Sequence, residues 1–283
     1  MFHKIIKGIA PIAGIALAAA IAGCGDMDVT IDGEKGVALA ELDMSGDAPE
    51  SLVLASSDTV IIKDGSKLDI DVTGDSDAVG LVRFTLKDGT LGVLRAKTDD
   101  KVSGTAIVNV TMPSPRSLTI AGSGTIEAES MSDKADINVL GAGNVSVAKV
   151  TATSADVNIA GSGMLTAAGS AESLDLNVMG SGSADMSGFK VETADVTVAG
   201  SGEASFASDG KVEASIVGSG TVTVIGRAKC EVSSMGSGKL VCETPAEESA
   251  EEAAPADKQA AKKSAATKKK IAKKSSAKKS RKA

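Results

Sequence analysis

Six acidic residues recur through the second half of the chain at near-constant spacing: Asp136, Asp156, Asp175, Asp195, Glu213 and Glu231, in steps of 20, 19, 20, 18 and 18. Two residues after each stands a short polar side chain: Asn138, Asn158, Asn177, Thr197, Ser215 and Ser233. A file of carboxylate and amide oxygens is the donor set of a hard divalent cation, Ca2+ above all. The competing reading is a solvated acidic face that keeps sheet faces and edges from aggregating. Carboxylates one strand spacing apart repel by under ~1 kcal/mol per pair in water, and by less in salt. The face therefore tolerates its charge without a metal. The glycine-rich calcium nonapeptide is not matched, because an Asp follows Gly-x-Gly at the needed place only once, at Asp185.

Composition narrows the remaining chemistry. His3 is the one histidine, and it lies in a segment expected to be removed on export. The mature chain then has no imidazole for acid–base work, for a Ser-His or Cys-His nucleophile, or for a metal. Tyr and Trp are absent and there are four Phe, so the usual stacking platforms for sugars are missing. Lys134, Lys149, Lys190, Lys211 and Lys229 scatter around the returns of the repeat, and no repeat breaks the pattern to bring unlike catalytic groups together. No catalytic residue is assigned. The chain is read as a non-enzyme, with a polysaccharide-active enzyme as the third of three readings.

The acidic file needs an element that repeats in step with it. Gly-x-Gly units occur at Gly122/Gly124, Gly141/Gly143, Gly161/Gly163, Gly180/Gly182, Gly200/Gly202, Gly218/Gly220 and Gly236/Gly238. A fixed period near 20 with strand patterning is the mark of a solenoid. Four and two residues before each first glycine stand apolar pairs such as Leu118/Ile120, Val157/Ile159 and Leu176/Val178. Four and six residues after it stand Ile126/Ala128, Val145/Val147, Leu165/Ala167 and their counterparts. This period-two alternation turns those residues inward and the acidic file outward. Each repeat is one coil: strand, tight corner, strand, looser return. Glycine serves the corner because it reaches backbone angles that side chains make costly. Coils ~4.8 Å apart give seven of them a rise of about 30 Å. Antiparallel hairpins are the alternative, and they do not explain the constant direction of the pattern.

Residues 24–117 lack the period but stay strand-like, with Asp-Gly turn signals at Asp64-Gly65 and Asp88-Gly89. They read as irregular entry coils plus a hairpin that cap one end of the regular stack at 118–243. Cys230 and Cys242 fall at inward positions of the last coil, where a bond would close a loop of ~12 residues and contribute about 2–3 kcal/mol. Two buried thiols are the other option. Past them the composition breaks. Residues 244–283 are acidic and then Lys-rich, and residues 258–283 hold twelve basic side chains and no acidic one. Residues 1–257 carry the other 18 basic groups and all 37 acidic ones, net −19. Such a segment cannot bury enough apolar surface to fold alone. It is read as a tail with three options: anionic envelope polymers or lipid heads, the acidic solenoid itself, or no partner. Nucleic acid is disfavoured for an exported protein.

Residues 1–23 read as an export signal: Lys4 and Lys7, then a short apolar core at 8–22 that falls short of the ~20 residues a membrane span needs. Ile21-Ala22-Gly23-Cys24 resembles the lipobox of bacterial lipoproteins, which implies acylation of Cys24 and a membrane attachment through lipid. Cleavage near Ala18-Ala19-Ala20 without lipid is the alternative. Gly25, in place of the Asp that favours inner-membrane retention, implies an outer-membrane destination, on the periplasmic or the surface face. Three cysteines then divide into one lipidated residue and one pair, in an oxidising compartment.

The segment "LDIDVTGDSDAVGLVRFTLKDGTLGV", the junction "SLTIAGSGTI" and the recurring Gly-Ser-Gly corners resemble a bacterial family, the putative auto-transporter adhesin, head GIN domain, over about residues 52–240. The resemblance implies a right-handed parallel β-helix, pectin-lyase-like in shape, with no catalytic residues to carry over and a role in adhesion to a protein or glycan partner. No membrane barrel or coiled-coil stalk is seen in the chain. The expectation is an all-β envelope lipoprotein that presents a rigid solenoid for adhesion or scaffolding, without an obligatory cofactor. A periplasmic binding or regulatory module is the second reading.

Overall fold

The structure is a computed structural model and describes residues 30–31, 33–98 and 102–243. Its strands are β1 (Ser51–Ala55), β2 (Thr59–Asp64), β3 (Asp69–Gly74), β4 (Val82–Lys87), β5 (Thr90–Arg95), β6 (Ala106–Met112), β7 (Ser117–Gly122), β8 (Thr125–Gly141) and β9 (Asn144–Gly161). They continue as β10 (Met164–Gly180), β11 (Ser183–Gly200), β12 (Glu203–Gly218), β13 (Thr221–Ile225), β14 (Lys229–Gly236) and β15 (Lys239–Glu243). One helical turn, α1 (Ser76–Val79), joins β3 to β4. From β7 onward every pairing is parallel and each strand pairs with its successor one coil on. The fold is an all-β parallel solenoid of about seven turns.

The alternating sequence produces this directly. Ile120, Val139, Ile159, Val178, Val198 and Ile216, each two residues before a corner, are fully buried in one stack. Phe84, Phe189 and Phe206 are the buried aromatic rings of an otherwise aliphatic interior. The looser return expected from sequence is in fact paired: β8 to β12 run 16 to 18 residues from one corner to the next. They bend through register shifts such as those between Thr166/Gly169 and Met186/Lys190. A bulge inserts a residue and turns the strand while most of its hydrogen bonds survive.

The two glycines of a corner do different jobs, which corrects the expectation that backbone angle calls for both. The first ends a strand and takes the unusual angle. Gly141 has φ +117, and a Cβ there would sit 2.6 Å from the carbonyl oxygen of Gly122 on the preceding coil. The second glycines, Gly124, Gly143, Gly163, Gly182, Gly202, Gly220 and Gly238, lie between strands and have no positive φ. Packing calls for them instead. A Cβ would meet Ile120 Cδ1 at Gly143, Ile159 Cγ2 at Gly182, Val178 Cγ1 at Gly202 and Val198 Cγ1 at Gly220, each at 2.5 Å. Gly163 and Gly238 face Val139 and Ile216 in the same way. Gly124, at the first corner, faces the carbonyl oxygen of Asp58 and the Leu54 side chain of the entry section. One glycine is thus required by conformation and the other by what the coil before it places inward. Coils stay hydrogen-bonded through the corner, as in Ser181 N–H to Gly161 O (2.9 Å) and Ser183 N–H to Gly163 O (3.0 Å).

The entry section is more coil-like than its sequence suggests, and its order is permuted. β1 pairs in parallel with β7 on one side and with β5 on the other, and β2 does the same with β8 and β6. The β5–β6 coil therefore lies beyond the β1–β2 coil, although it comes later in the chain. Asp88 (φ 48) and Gly89 (φ 73) make the two-residue hairpin between β4 and β5. Asp64-Gly65 makes no hairpin, because β6 is inserted between β2 and β3. Antiparallel β3 and β4 close the two exposed edges of this end. Ile31 packs on the outer side of the sheet against Val53, Ala55 and Leu94. The opposite end is not covered among the described residues: Val232 of β14, in register with the buried Ala214, is 54% exposed.

Candidate functional site

The six acidic residues form a single in-register file. Asp136 pairs with Asp156, Asp156 with Asp175, Asp175 with Asp195, Asp195 with Glu213 and Glu213 with Glu231. The file stands outward because Ile137, Val157, Leu176, Val196 and Ala214, one residue on, are buried. Asp156, Asp175, Asp195, Glu213 and Lys211 line a shallow groove of about 320 Å³. Lys211 is ion-paired to Glu213. Asp136, Asp156, Asp175 and Asp195 have no cationic partner among the described residues.

The neighbouring file is an amide ladder. Asn158 Nδ2 donates to Asn138 Oδ1 (3.1 Å) and Asn177 Nδ2 donates to Asn158 Oδ1 (3.3 Å). The ladder also supports the carboxylates: Asn138 Nδ2 donates to Asp136 Oδ1 (2.7 Å) and Asn177 Nδ2 to Asp175 Oδ1 (2.8 Å). Burial nevertheless holds the Asp136 carboxyl above its ordinary value, the Asn138 hydrogen bond opposes this, and the charge of Asp156 adds to the rise. Asp175 is raised in the same way by burial, against Asn177, with Asp156 and Asp195 adding. The file is spaced for mutual repulsion, with one carboxylate per coil. Among the described residues no three His, Cys, Asp or Glu side chains converge on a point where they could hold a metal ion.

A third file flanks the amide ladder on its corner side. The residue before each first glycine is Ala121, Leu140, Ala160, Met179, Ala199, Val217 or Met235, again in register. Met179 and Val217 are 53% and 52% exposed. The outer sheet face is thus graded from acidic through amide and hydroxyl to apolar. This apolar file was not singled out from the sequence, although the position before each corner carried it.

The cysteines fall where the sequence places them, at the last coil. Cys230 and Cys242 are disulfide-bonded, with Cα atoms 6.8 Å apart, on its two strands. Both sit at inward register positions, opposite the buried Val212 and Val224, but at the uncovered end Cys242 is exposed. Cys24, the export signal at 1–23 and the basic segment at 258–283 lie outside the described residues. No helix among the described residues is long and apolar enough to cross a membrane.

One buried constellation had no signal in the sequence. Asp58, in the Ser56-Ser57-Asp58 corner of the entry section, is completely buried. Its carboxylate accepts from Arg95 Nε (2.8 Å), from Arg95 Nη2, from the backbone N–H of Ala106 (2.9 Å) and from Ser56 Oγ (2.8 Å). Arg95 Nη2 also donates to Gly104 O (2.9 Å). The group ties β2, β5 and the start of β6 together around a wholly buried carboxylate, so its role is structural.

A crystal structure of a "putative adhesin" from Bacteroides fragilis is similar to this chain, with a TM-score of 0.65 and 19% identity over 70% of this chain and 93% of that one. A "putative lipid binding protein" from Parabacteroides distasonis has a TM-score of 0.55 and 20% identity over 70% of this chain and 94% of its own. A "putative adhesin" from Parabacteroides merdae has a TM-score of 0.52 and 19% identity, covering 70% and 93%. At these identities the likeness shows the shared fold, and none of the three is described as an enzyme. No curated protein matches the chain in sequence. A family model matches residues 48–228, from the entry coils up to the residue before β14, and the chain belongs to the family described as "Putative auto-transporter adhesin, head GIN domain".

Proposed function

We propose that this chain is a cell-envelope lipoprotein, anchored through Cys24, that presents its solenoid as a rigid surface for adhesion or scaffolding and carries out no catalysis. The observation that supports this reading is the face itself. Its chemistry is constant from coil to coil, in three parallel files set on a backbone hydrogen-bonded through every corner. An enzyme needs unlike groups gathered at one point, whereas a binding face gains from repetition. Attachment through Cys24 would hold well only with more than one acyl chain, because a single chain gives marginal, reversible binding. The basic segment at 258–283 would add contacts to anionic lipid heads or envelope polymers.

Protease shaving of intact cells tests the display, with Cys24→Ser as the companion variant. Loss of the solenoid from intact cells, and release of the variant into the soluble fraction, are expected. A chain that is protected on intact cells but cut after outer-membrane permeabilisation would favour the periplasmic binding module.

A further inference from the structure

The outer sheet face joins two features that seldom share a surface: an apolar file with exposed members, and a parallel carboxylate file in which Asp136, Asp156, Asp175 and Asp195 have no ion-pair partner among the described residues. We infer that this face is a docking site for a cationic amphipathic polypeptide segment that lies along the solenoid axis. The inference rests on the reading of the solenoid as a presentation surface.

The geometry sets the form of the partner. The acidic and apolar files are four residues apart along each strand, about 13 Å at ~3.3 Å per residue. That is close to the 10–12 Å diameter of an α-helix with its side chains. The file from Asp136 to Glu231 climbs five coil steps, about 24 Å at ~4.8 Å per step, which matches a helix of about 16 residues. Such a helix would set its apolar stripe on Met179, Val217 and Met235, the exposed members of the file. Its Lys or Arg side chains, whose stems lie along apolar surface while their heads reach outward, would meet Asp156, Asp175 and Asp195. The amide ladder beneath is hydrogen-bonded to itself and to Asp136 and Asp175, so covering it leaves few polar groups unsatisfied.

Charge complementarity selects a cationic occupant, and the apolar file disfavours the chain's own Lys-rich segment at 258–283, whose one large apolar residue is Ile271. A second copy laid on the same face would bring two acidic files against each other. An anionic lipid surface would be repelled by the same carboxylates. Apolar contact alone is a narrow stripe, far short of the ~1,200 Å² of a stable interface, so the carboxylates must contribute for the complex to form.

The test uses the full chain carrying Cys24→Ser, so that no detergent is needed, and measures binding by calorimetry. The probe is a helical peptide of Lys and Leu, about 18 residues long, with a same-charge control in which Ser replaces Leu. Expected are micromolar binding of the Lys/Leu peptide and roughly tenfold weaker binding of the control, a difference of about 1.4 kcal/mol. Met179→Ser with Val217→Ser should weaken binding of the Lys/Leu peptide by a similar factor. Asp156→Asn with Asp195→Asn should weaken it and flatten its salt dependence. All four positions are outward, and an unchanged melting temperature confirms that the fold is kept. Equal binding of both peptides would overturn the inference. So would a dimer of the free chain that Met179→Ser dissociates, or uncharged lipid vesicles bound through the same methionine and valine. The assay uses purified protein, so its failure is distinguishable from a failure of the display experiment on cells.

Discussion

Asp58→Ala offers the sharpest test of how the first end of the solenoid is held. The substitution removes a carboxylate with 0% side-chain exposure and leaves Arg95, itself 18% exposed, without its partner. Breaking a buried, hydrogen-bonded ion pair from one side costs about 3–5 kcal/mol, much of it from the charge left behind. The backbone N–H of Ala106, which donates to Asp58 at 2.9 Å, is orphaned as well, at about 1–3 kcal/mol for a buried donor. The two losses overlap, and about 4 kcal/mol is expected in total. In a solenoid, where stability is a sum over coils and their interfaces, this loss falls on the permuted end first. Hydrogen exchange should show the amides of β5 and β6 losing protection while those of β9 to β11 keep theirs. If unfolding remains a single transition, the melting temperature should fall by roughly 8–16 °C. The paired replacement Asp58→Leu with Arg95→Met should recover the part of the loss due to the stranded charge, while the Ala106 N–H stays unpaired. A melting temperature for Asp58→Ala within a degree of the parent's, with β5 and β6 still protected, would refute the reasoning.

Other consequences can be measured on the same protein. Gly180→Ala places a Cβ at φ +119 against the carbonyl oxygen of Gly161 and should cost about 2–3 kcal/mol in urea unfolding, whereas Ser181→Ala at the corner apex should be near neutral. Asp136 and Asp175 titrate above their ordinary value of 3.8, chiefly from burial. A carboxyl that binds its proton more tightly when folded contributes stability in full below its unfolded pKa and loses it as pH rises through the folded one. Asp136→Asn with Asp175→Asn should therefore gain stability relative to the parent between pH 3.8 and neutrality, and a constant difference across that window would contradict this. Unreduced protein should take up no alkylating label at Cys230 or Cys242, and Cys230→Ser with Cys242→Ser should lose about 3 kcal/mol, confined to the last coil. Melting in millimolar Ca2+ and in excess chelator should coincide, because the acidic file offers one carboxylate per coil and no converging set.

The period, the inward stripes and the acidic file were legible because each is a local pattern repeated in step. Leu176, Val178, Gly180 and Gly182 announce a coil within seven residues, and the same phrase recurs. The separate reasons for the two glycines were not legible, because a Gly-x-Gly spelling does not show which inward side chain of the preceding coil lies beneath Gly202 or Gly220. The permuted entry was hidden because register between β1 and β5 depends on strands 39 residues apart with no repeat to align them. Asp58 reads locally as a surface turn residue after two serines. Only the return of the chain past Arg95 and Ala106 buries it. The apolar file was in plain sight at Leu140, Met179 and Val217, but small Ala160 and Ala199 between them blurred the column into the general apolar background. The paired returns were missed because bulges hold strand pairing without strict alternation.

The corners and the returns divide the labour of length. At the corner glycines the stacked coils leave no room for a side chain, while spacings of 18, 19 and 20 residues are absorbed where β10 to β12 shift register. A rod built this way has a fixed spine and an elastic margin. Whole turns can be gained or lost by duplication or deletion without disturbing either extremity, and loops grafted onto the margin leave the spine untouched. Reach and recognition can thus be altered independently in such a protein, by changing the number of turns in one case and the decoration of the margin in the other.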